Sequence, residues 1–158
     1  MSVESVRNYL AGFGLEGRVR EFTESSATVE LAAAVVGVIP ARIAKTLSFK
    51  NPAGEAFLIV AAGDAKVDNR KFKDFFGFKA KMLTAEEAIE LVGHAVGGVC
   101  PFALKDNVKV YLDESMKRFS SVFPAAGSAS SAVELSCDEL FECSRAEKWI
   151  DCCKIPEI

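Results

Sequence analysis

The spacing of apolar residues divides the chain into short, interleaved helices and strands. Apolar residues at helical spacing open the sequence and end at two glycines, Gly12 and Gly14. Residues 43–50 alternate with a period of two, and residues 56–62 form a nearly continuous apolar run, which is typical of a central strand. The turn-forming residues 51–54 between them predict that these two strands form a hairpin.

Capping residues mark the other expected helix ends. Helices are predicted to begin after Thr28, Asp68, Thr84 and Ser136, and glycines at 37, 77 and 93 are predicted to end three of them. Inward-facing residues of these helices are expected to include Phe72, Phe75, Phe76, Ala85, Ala88, Ile89 and Val92. Further strands are predicted near 18–22, 108–112, 120–123 and 131–135, and an irregular C-terminal end is expected with Trp149 as its anchor. This interleaving predicts one α/β domain over residues 1–158, built on a mixed β-sheet.

The composition is typical of a soluble globular protein. Half of the 158 residues are hydrophobic and 26% are charged. No apolar run approaches the length needed to span a bilayer, and the N-terminus lacks the basic start and apolar run of a signal peptide. A cytoplasmic location without membrane contact is therefore expected.

The cysteines are expected to be free thiols, because five is an odd number in a chain without secretory features. None of them has CxxC spacing, and the adjacent Cys152 and Cys153 are a poor chelating arrangement. The single histidine adds only one further potential metal ligand. Neither a metal site nor a cofactor is expected from this inventory.

The formal net charge of −3 hides a local asymmetry. The segment 66–81 carries six lysines and arginines against two aspartates, Asp68 and Asp74. Such a run can form a positive patch that meets phosphates on an otherwise acidic protein. It can equally be the solvated face of a helix.

Lys45 is the most unusual single residue, because strand geometry places it on the same face as the apolar residues Ile43, Leu47 and Phe49. It could point into a cleft and bind a phosphate or polarise an oxygen. It could also pack its stem and extend its amine to solvent. Asp64 is either a turn residue or a partner of Lys45.

The segment 93–102 combines glycines, the only histidine and a Cys-Pro pair. The turn formed by Gly97, Gly98, Val99, Cys100 and Pro101 could present backbone amides to a substrate oxygen, as an oxyanion hole does, or could simply connect a helix to a strand. His94 and Cys100 raise the alternative of a nucleophilic thiol site. Gly127, in a loop of small residues, could form a second ligand-facing turn.

Four of these motifs together resemble the YbaK/prolyl-tRNA synthetase-associated domain family. They are Ile43-Ala-Lys-Thr-Leu47 with its following strand, Ala61-Ala-Gly-Asp64, Gly97-Gly-Val-Cys-Pro101 and Ala125-Ala-Gly127. The resemblance extends roughly from Val6 to Leu140. It implies a mixed, curved, partly barrel-like sheet flanked by helices, and a stand-alone deacylase that hydrolyses the ester of mischarged tRNA, commonly tRNA for proline.

The resemblance also implies roles for individual residues. Lys45 matches the essential lysine that contacts the terminal adenosine, residues 97–101 match the loop that holds the aminoacyl group, and Gly127 matches a glycine of the second loop. The chain departs from some members at Ala125 and Ala126, where they carry a serine, and near Phe22, where they carry a tyrosine. These departures concern the amino-acid pocket, so substrate identity is less defined than the reaction.

The implied partners are the acceptor end of mischarged tRNA and, in addition, prolyl-tRNA synthetase. Two other functions stay open from the residues alone. One is a module that binds tRNA ends or a synthetase without turnover, and the other is a thiol hydrolase using Cys100 and His94.

Overall fold

The computed structural model describes residues 2–95 and 99–156 and shows a mixed β-sheet with helices against it. The helices are α1 (Val3–Ala11), α2 (Val29–Val36), α3 (Asn69–Phe76), α4 (Ala85–Glu87) and α5 (Cys137–Cys143). The strands are β1 (Val19–Glu21), β2 (Ile43–Lys50), β3 (Ala56–Ala62), β4 (Lys66–Val67), β5 (Lys109–Asp113), β6 (Ser121–Pro124), β7 (Ser131–Val133), β8 (Leu135–Ser136), β9 (Lys148–Ile150) and β10 (Cys153–Lys154). Among these residues, none of the helices is both long and apolar enough to cross a membrane.

The main sheet is curved and has six strands in the order β8-β6-β2-β3-β5-β9. The predicted hairpin is confirmed: β2 and β3 pair antiparallel with Lys45 opposite Ala61. Strand β6 runs parallel to β2 on one side, and β5 runs parallel to β3 on the other. Strand β3 is buried along its whole length because it lies at the centre of the sheet. The predicted mixed, curved α/β sheet is therefore confirmed.

The capping signals of the sequence act as expected. Thr28 and Asp68 accept backbone N–H groups at the starts of α2 and α3, and Thr84 and Ser136 form capping boxes at the starts of α4 and α5. Gly37, Gly77 and Gly93 close their helices with positive φ angles. These ends were predictable because each depends on contacts within one helical turn.

Three predicted inward-facing side chains, those of Phe75, Ala85 and Ile89, lie at the surface instead. Ala85 opens α4, in which no residue is buried. Phe75 is 40% exposed, because it lies at the rim of the sheet. There its ring makes an edge contact with Tyr111 and lies beneath the Lys148 amine. Ile89 is 55% exposed, because residues 88–92 wind as a π-turn that keeps Ala88 and Val92 inward and rotates Ile89 out.

The expectation of an irregular C-terminal end was wrong. Strand β9 extends the main sheet by pairing parallel with β5, and β10 pairs antiparallel with β4. Trp149 does help to anchor this end: it lies in β9 opposite Leu112 and stacks on Phe141 of α5.

Candidate functional site

A cavity of about 140 Å³ lies where the start of β2 meets the N-terminal end of α2. Its lining residues are mostly small or hydroxylated: Ser26, Ala27, Thr28, Val29, Ala32, Ile43, Ala44, Lys45, Thr46, Val99, Phe123, Ala125, Ser131 and Ala132. We call this the Lys45 pocket. It brings together the strand, the loop 99–101 and the second loop near Ala125, which are distant in sequence.

The walls of the Lys45 pocket are fixed by backbone hydrogen bonds. The segment before α2 is held on the second loop, since the Ser26 amide donates to the Ala129 carbonyl at 2.6 Å and the Phe22 amide donates to the Ser130 carbonyl at 2.8 Å. Ser131 is buried, and its hydroxyl accepts the amides of Ala126 and Ser128, each at 3.2 Å. The second loop is therefore an ordered wall and not a flexible connection.

Lys45 lies half-buried in this pocket, and its amine donates a hydrogen bond to the Ala65 carbonyl. Burial lowers the pKa of Lys45, and negative charge nearby, including the Asp64 carboxylate, opposes this effect. A cation held at a cleft by a single backbone acceptor can still donate two N–H groups to a ligand.

Asp64 is mainly a partner of Arg118. The guanidinium contacts both carboxylate oxygens, at 2.5 and 3.0 Å, and this hydrogen bonding lowers the pKa of Asp64. The Asp64 carboxylate affects Lys45 through its charge, and no ion pair joins the two in the part of the chain that the structure describes.

The loop that follows His94 reaches the pocket through Val99. Cys100 and Pro101 are buried behind it. Gly97 and Gly98, the predicted sources of backbone amides, lie outside the described residues. Their role stays a prediction.

His94 and Cys100 do come together, but as a buried pair. The Cys100 Sγ lies 3.6 Å from His94 Nε2, and that nitrogen lies 2.8 Å from the Phe102 carbonyl oxygen. Because a carbonyl oxygen can only accept, Nε2 carries the proton of the neutral imidazole and has no lone pair for the thiol. Burial raises the pKa of Cys100 to about 12 and lowers the pKa of His94. This geometry does not activate a thiolate.

Gly127 and Phe22 lie near the site without lining the pocket. Gly127 has φ of 98°, and a Cβ there would lie 2.7 Å from the Ser2 carbonyl oxygen and 2.8 Å from Val6 Cγ2. A glycine is therefore needed so that the second loop can approach α1. The Gly127 backbone also acts to lower the pKa of the Cys100 thiol, so the two loops adjoin each other. The Phe22 side chain stacks under Arg20 at 5.3 Å.

Three polar pocket residues were not anticipated from the sequence. They are Ser26, Thr46 and Ser131. Thr46 Oγ1 is buried, and within residues 2–95 and 99–156 it has no hydrogen-bond partner. A serine in a loop carries no signal of its own, and only the tertiary structure places Ser26 and Ser131 beside Lys45. Thr46 follows Lys45 in β2, and its hydroxyl is enclosed by protein atoms.

Known proteins with this sequence pattern and fold point to one family. Residues 23–143 match the model of the aminoacyl-tRNA editing domain. The Bacillus subtilis protein named "Uncharacterized protein YwhH" is 54% identical to this chain over 98% of both sequences. An Enterococcus faecalis protein named "Putative Cys-tRNA(Pro)/Cys-tRNA(Cys) deacylase EbsC" is 26% identical, over 73% of this chain and 71% of its own.

A solved structure agrees with this assignment. The crystal structure of "a putative trans-editing enzyme for prolyl tRNA synthetase" matches with a TM-score of 0.85 and 29% identity, over 99% of this chain and 97% of its own. The family model covers far more than half of the sequence. The chain belongs to the aminoacyl-tRNA editing domain family.

Proposed function

We propose that the protein is a trans-editing deacylase that hydrolyses the ester bond of mischarged tRNA. The proposed substrate is tRNA for proline carrying cysteine, alanine or a similarly small amino acid. The observation that carries this proposal is the Lys45 pocket, a small cavity lined by the half-buried Lys45 and by small or hydroxylated residues from α2, β2 and the second loop. Family membership supports the reaction class.

The size and chemistry of the pocket favour a small aminoacyl group. Alanines supply much of the lining, and the second loop contributes Ala125, where some members of the family carry a serine. A cavity of about 140 Å³ offers room for a side chain of a few heavy atoms. Synthetases separate such small side chains poorly, since one methylene is worth only about 1–3 kcal/mol, and a separate editing step restores accuracy.

The proposed mechanism needs no protein nucleophile. Lys45 holds the terminal nucleotide through its phosphate or ribose oxygens, and backbone amides of the 97–101 loop stabilise the negative charge that develops on the carbonyl oxygen. Water attacks the carbonyl carbon and the bond to the ribose oxygen breaks. One water proton passes to that oxygen, which leaves as the ribose hydroxyl, and the other passes to solvent as the amino acid leaves as its carboxylate. An aminoacyl ester is already activated, so positioning and electrostatic stabilisation suffice.

The basic segment 66–81 is the proposed contact for the acceptor stem. The side chains of Lys66, Arg70, Lys73, Lys79 and Lys81 are exposed. Phosphate contacts release counterions, so tRNA binding should weaken steeply as salt concentration rises. Prolyl-tRNA synthetase is a further proposed partner.

A deacylation panel tests the proposal. The protein is incubated with tRNA for proline carrying cysteine, alanine, serine, 2-aminobutyrate or proline, and the remaining ester is measured over time. We expect hydrolysis of one or more of the small noncognate amino acids and protection of the proline ester. Binding of these tRNAs without hydrolysis of any of them would contradict the proposal and indicate a non-catalytic binding module.

A further inference from the structure

The C-terminal end brings two thiols and a carboxylate together, although the sequence suggested that adjacent cysteines would chelate poorly. The Sγ atoms of Cys152 and Cys153 lie 3.9 Å apart. One oxygen of Asp113 and both sulfurs all lie within 4.8 Å of one another. All three residues are buried, with exposed fractions of 1% for Asp113, 0% for Cys152 and 5% for Cys153.

The pairing of β9 with β5 creates this arrangement. Asp113 ends β5 and lies opposite Ile150 of β9, so the residues just after β9 pass alongside the carboxylate. One carboxylate oxygen accepts the Cys152 amide at 3.0 Å, and the other accepts the Ser115 amide at 2.9 Å. These bonds fix the carboxylate, and each oxygen keeps a second lone pair that can bind a cation.

The separation of the sulfurs fits a tetrahedral metal. With zinc–sulfur bonds of about 2.3 Å, two thiolates on a tetrahedral ion lie about 3.8 Å apart. Two thiolates and one carboxylate are a ligand set that zinc and chemically similar cations accept, with a fourth position left for water.

Two members of the cluster adjoin an open cavity. Asp113 and Cys153 line this cavity of about 440 Å³ together with Lys71 and Asp151, and Cys152 is buried behind them. The Lys71 amine donates to the Cys153 carbonyl at 3.1 Å and pairs with Asp151 at 3.0 Å, so a carboxylate balances its positive charge beside the cluster.

We propose that Asp113, Cys152 and Cys153 form a binding site for a thiophilic divalent cation such as Zn²⁺. Binding forms two metal–sulfur bonds and one metal–oxygen bond, and the two thiol protons pass to solvent. The ion joins the C-terminal strand β10 to the end of β5. None of the three residues lines the Lys45 pocket, although the charge of Cys153 reaches the Lys45 amine.

Cobalt titration of the full chain tests the proposal. The protein is treated with a chelator and a non-thiol reductant, its five thiols are counted to establish that they are reduced, and Co²⁺ is added. We expect thiolate-to-cobalt charge-transfer absorption that saturates at one equivalent and disappears when Zn²⁺ is added.

Variants assign the signal to these residues. Cys152→Ser and Cys153→Ser should each weaken Co²⁺ binding roughly tenfold or more, because each removes one ligand. Cys137→Ser, which changes a half-buried cysteine on α5, should leave binding unchanged. Circular dichroism checks that each variant folds.

Two outcomes would overturn the proposal. One is the absence of charge-transfer absorption in the fully reduced wild-type protein. The other is a signal that a folded Cys152→Ser or Cys153→Ser variant retains, or that Cys137→Ser reduces equally.

Discussion

Two regions of this protein carry residues that suggest chemistry, and they differ in what surrounds those residues. At the Lys45 pocket, a half-buried lysine adjoins a small cavity. At the second region, Cys100 and His94 contact each other but are 0% and 1% exposed, and the histidine proton is committed to the Phe102 carbonyl. The first region can bind and orient a substrate, whereas the second is part of the core.

The difference shows that residue type is a weaker guide to function than two other properties. These are the exposure of a side chain to a ligand and the protonation state of its reactive group. A thiol and an imidazole are stronger reagents in principle than an amine and a backbone amide. Burial here moves the pKa of the thiol up and that of the imidazole down, which keeps both groups neutral. Lys45 is only half-buried and adjoins the cavity.

The largest expected effect is on Lys45. Lys45→Ala should lower kcat/KM for deacylation by at least about 10²-fold, because the terminal nucleotide loses its anchor and the ester is misplaced. Lys50→Ala is the matched control on the same strand, since Lys50 is paired with Glu87 at 2.5 Å and does not line the pocket. Equal losses of kcat/KM in both variants would contradict the assignment of the Lys45 pocket as the deacylation site. Initial rates with mischarged tRNA provide the measurement.

Gly127 tests whether the second loop is held by its packing on α1. Gly127→Ala should lower the free energy of unfolding by about 2 kcal/mol or more, because the methyl group meets Ser2 and Val6 at a positive φ angle. Gly54→Ala is the control, since Gly54 also has a positive φ of 85° but nothing lies within 4 Å of its added Cβ. Urea unfolding should show the smaller loss for Gly54→Ala. A loss at Gly54 as large as that at Gly127 would mean that strain alone, and not close packing, decides the cost.

Ala125 tests the size of the pocket. Ala125→Val should lower kcat/KM by roughly tenfold, and more for cysteine than for alanine esters, because it narrows a cavity that already fits only small groups. Ala80→Val serves as the control, because Ala80 is half-buried but does not line this pocket. Unchanged selectivity between the two esters would place the aminoacyl group elsewhere.

The smallest expected effect concerns the pH dependence of stability. His94 is the only histidine, and its pKa is lowered in the folded protein by burial. The unfolded chain therefore takes up a proton first, so the free energy of unfolding should fall by about 1 kcal/mol or less as pH drops below about 6.5. The carboxyl of Glu87, with its pKa lowered to about 2 by Lys50, loses its contribution only below about 4.5.

Urea unfolding between pH 5 and pH 7 measures this slope, and His94→Gln should flatten it. A wild-type stability that rises on acidification in this range would mean that His94 is protonated in the folded state. That result would weaken the contrast between the two regions.

Local signals made much of the fold predictable, and long-range pairing explains what was missed. The capping box of Thr84 and Glu87 depends on residues three apart, so the sequence shows it directly. Strand β9 has only three residues and gains its identity from parallel pairing with β5, which no local pattern encodes.

The site was predictable in the same uneven way. Lys45 was detectable because a lysine interrupts an apolar strand face. Ser26 and Ser131 were not, because only the packing of α2 and the second loop against β2 brings them to one cavity. The convergence of Cys152, Cys153 and Asp113 likewise depends on the β5–β9 register.

The most direct test of the central claim compares Cys100→Ser with Lys45→Ala on the same mischarged tRNA for proline. Deacylation rates are measured side by side with folded protein at equal concentrations. The account predicts that Cys100→Ser keeps its rate within a few-fold of wild type while Lys45→Ala loses at least about 10²-fold. Near-complete loss in Cys100→Ser with activity retained in Lys45→Ala would contradict it and assign the chemistry to the thiol.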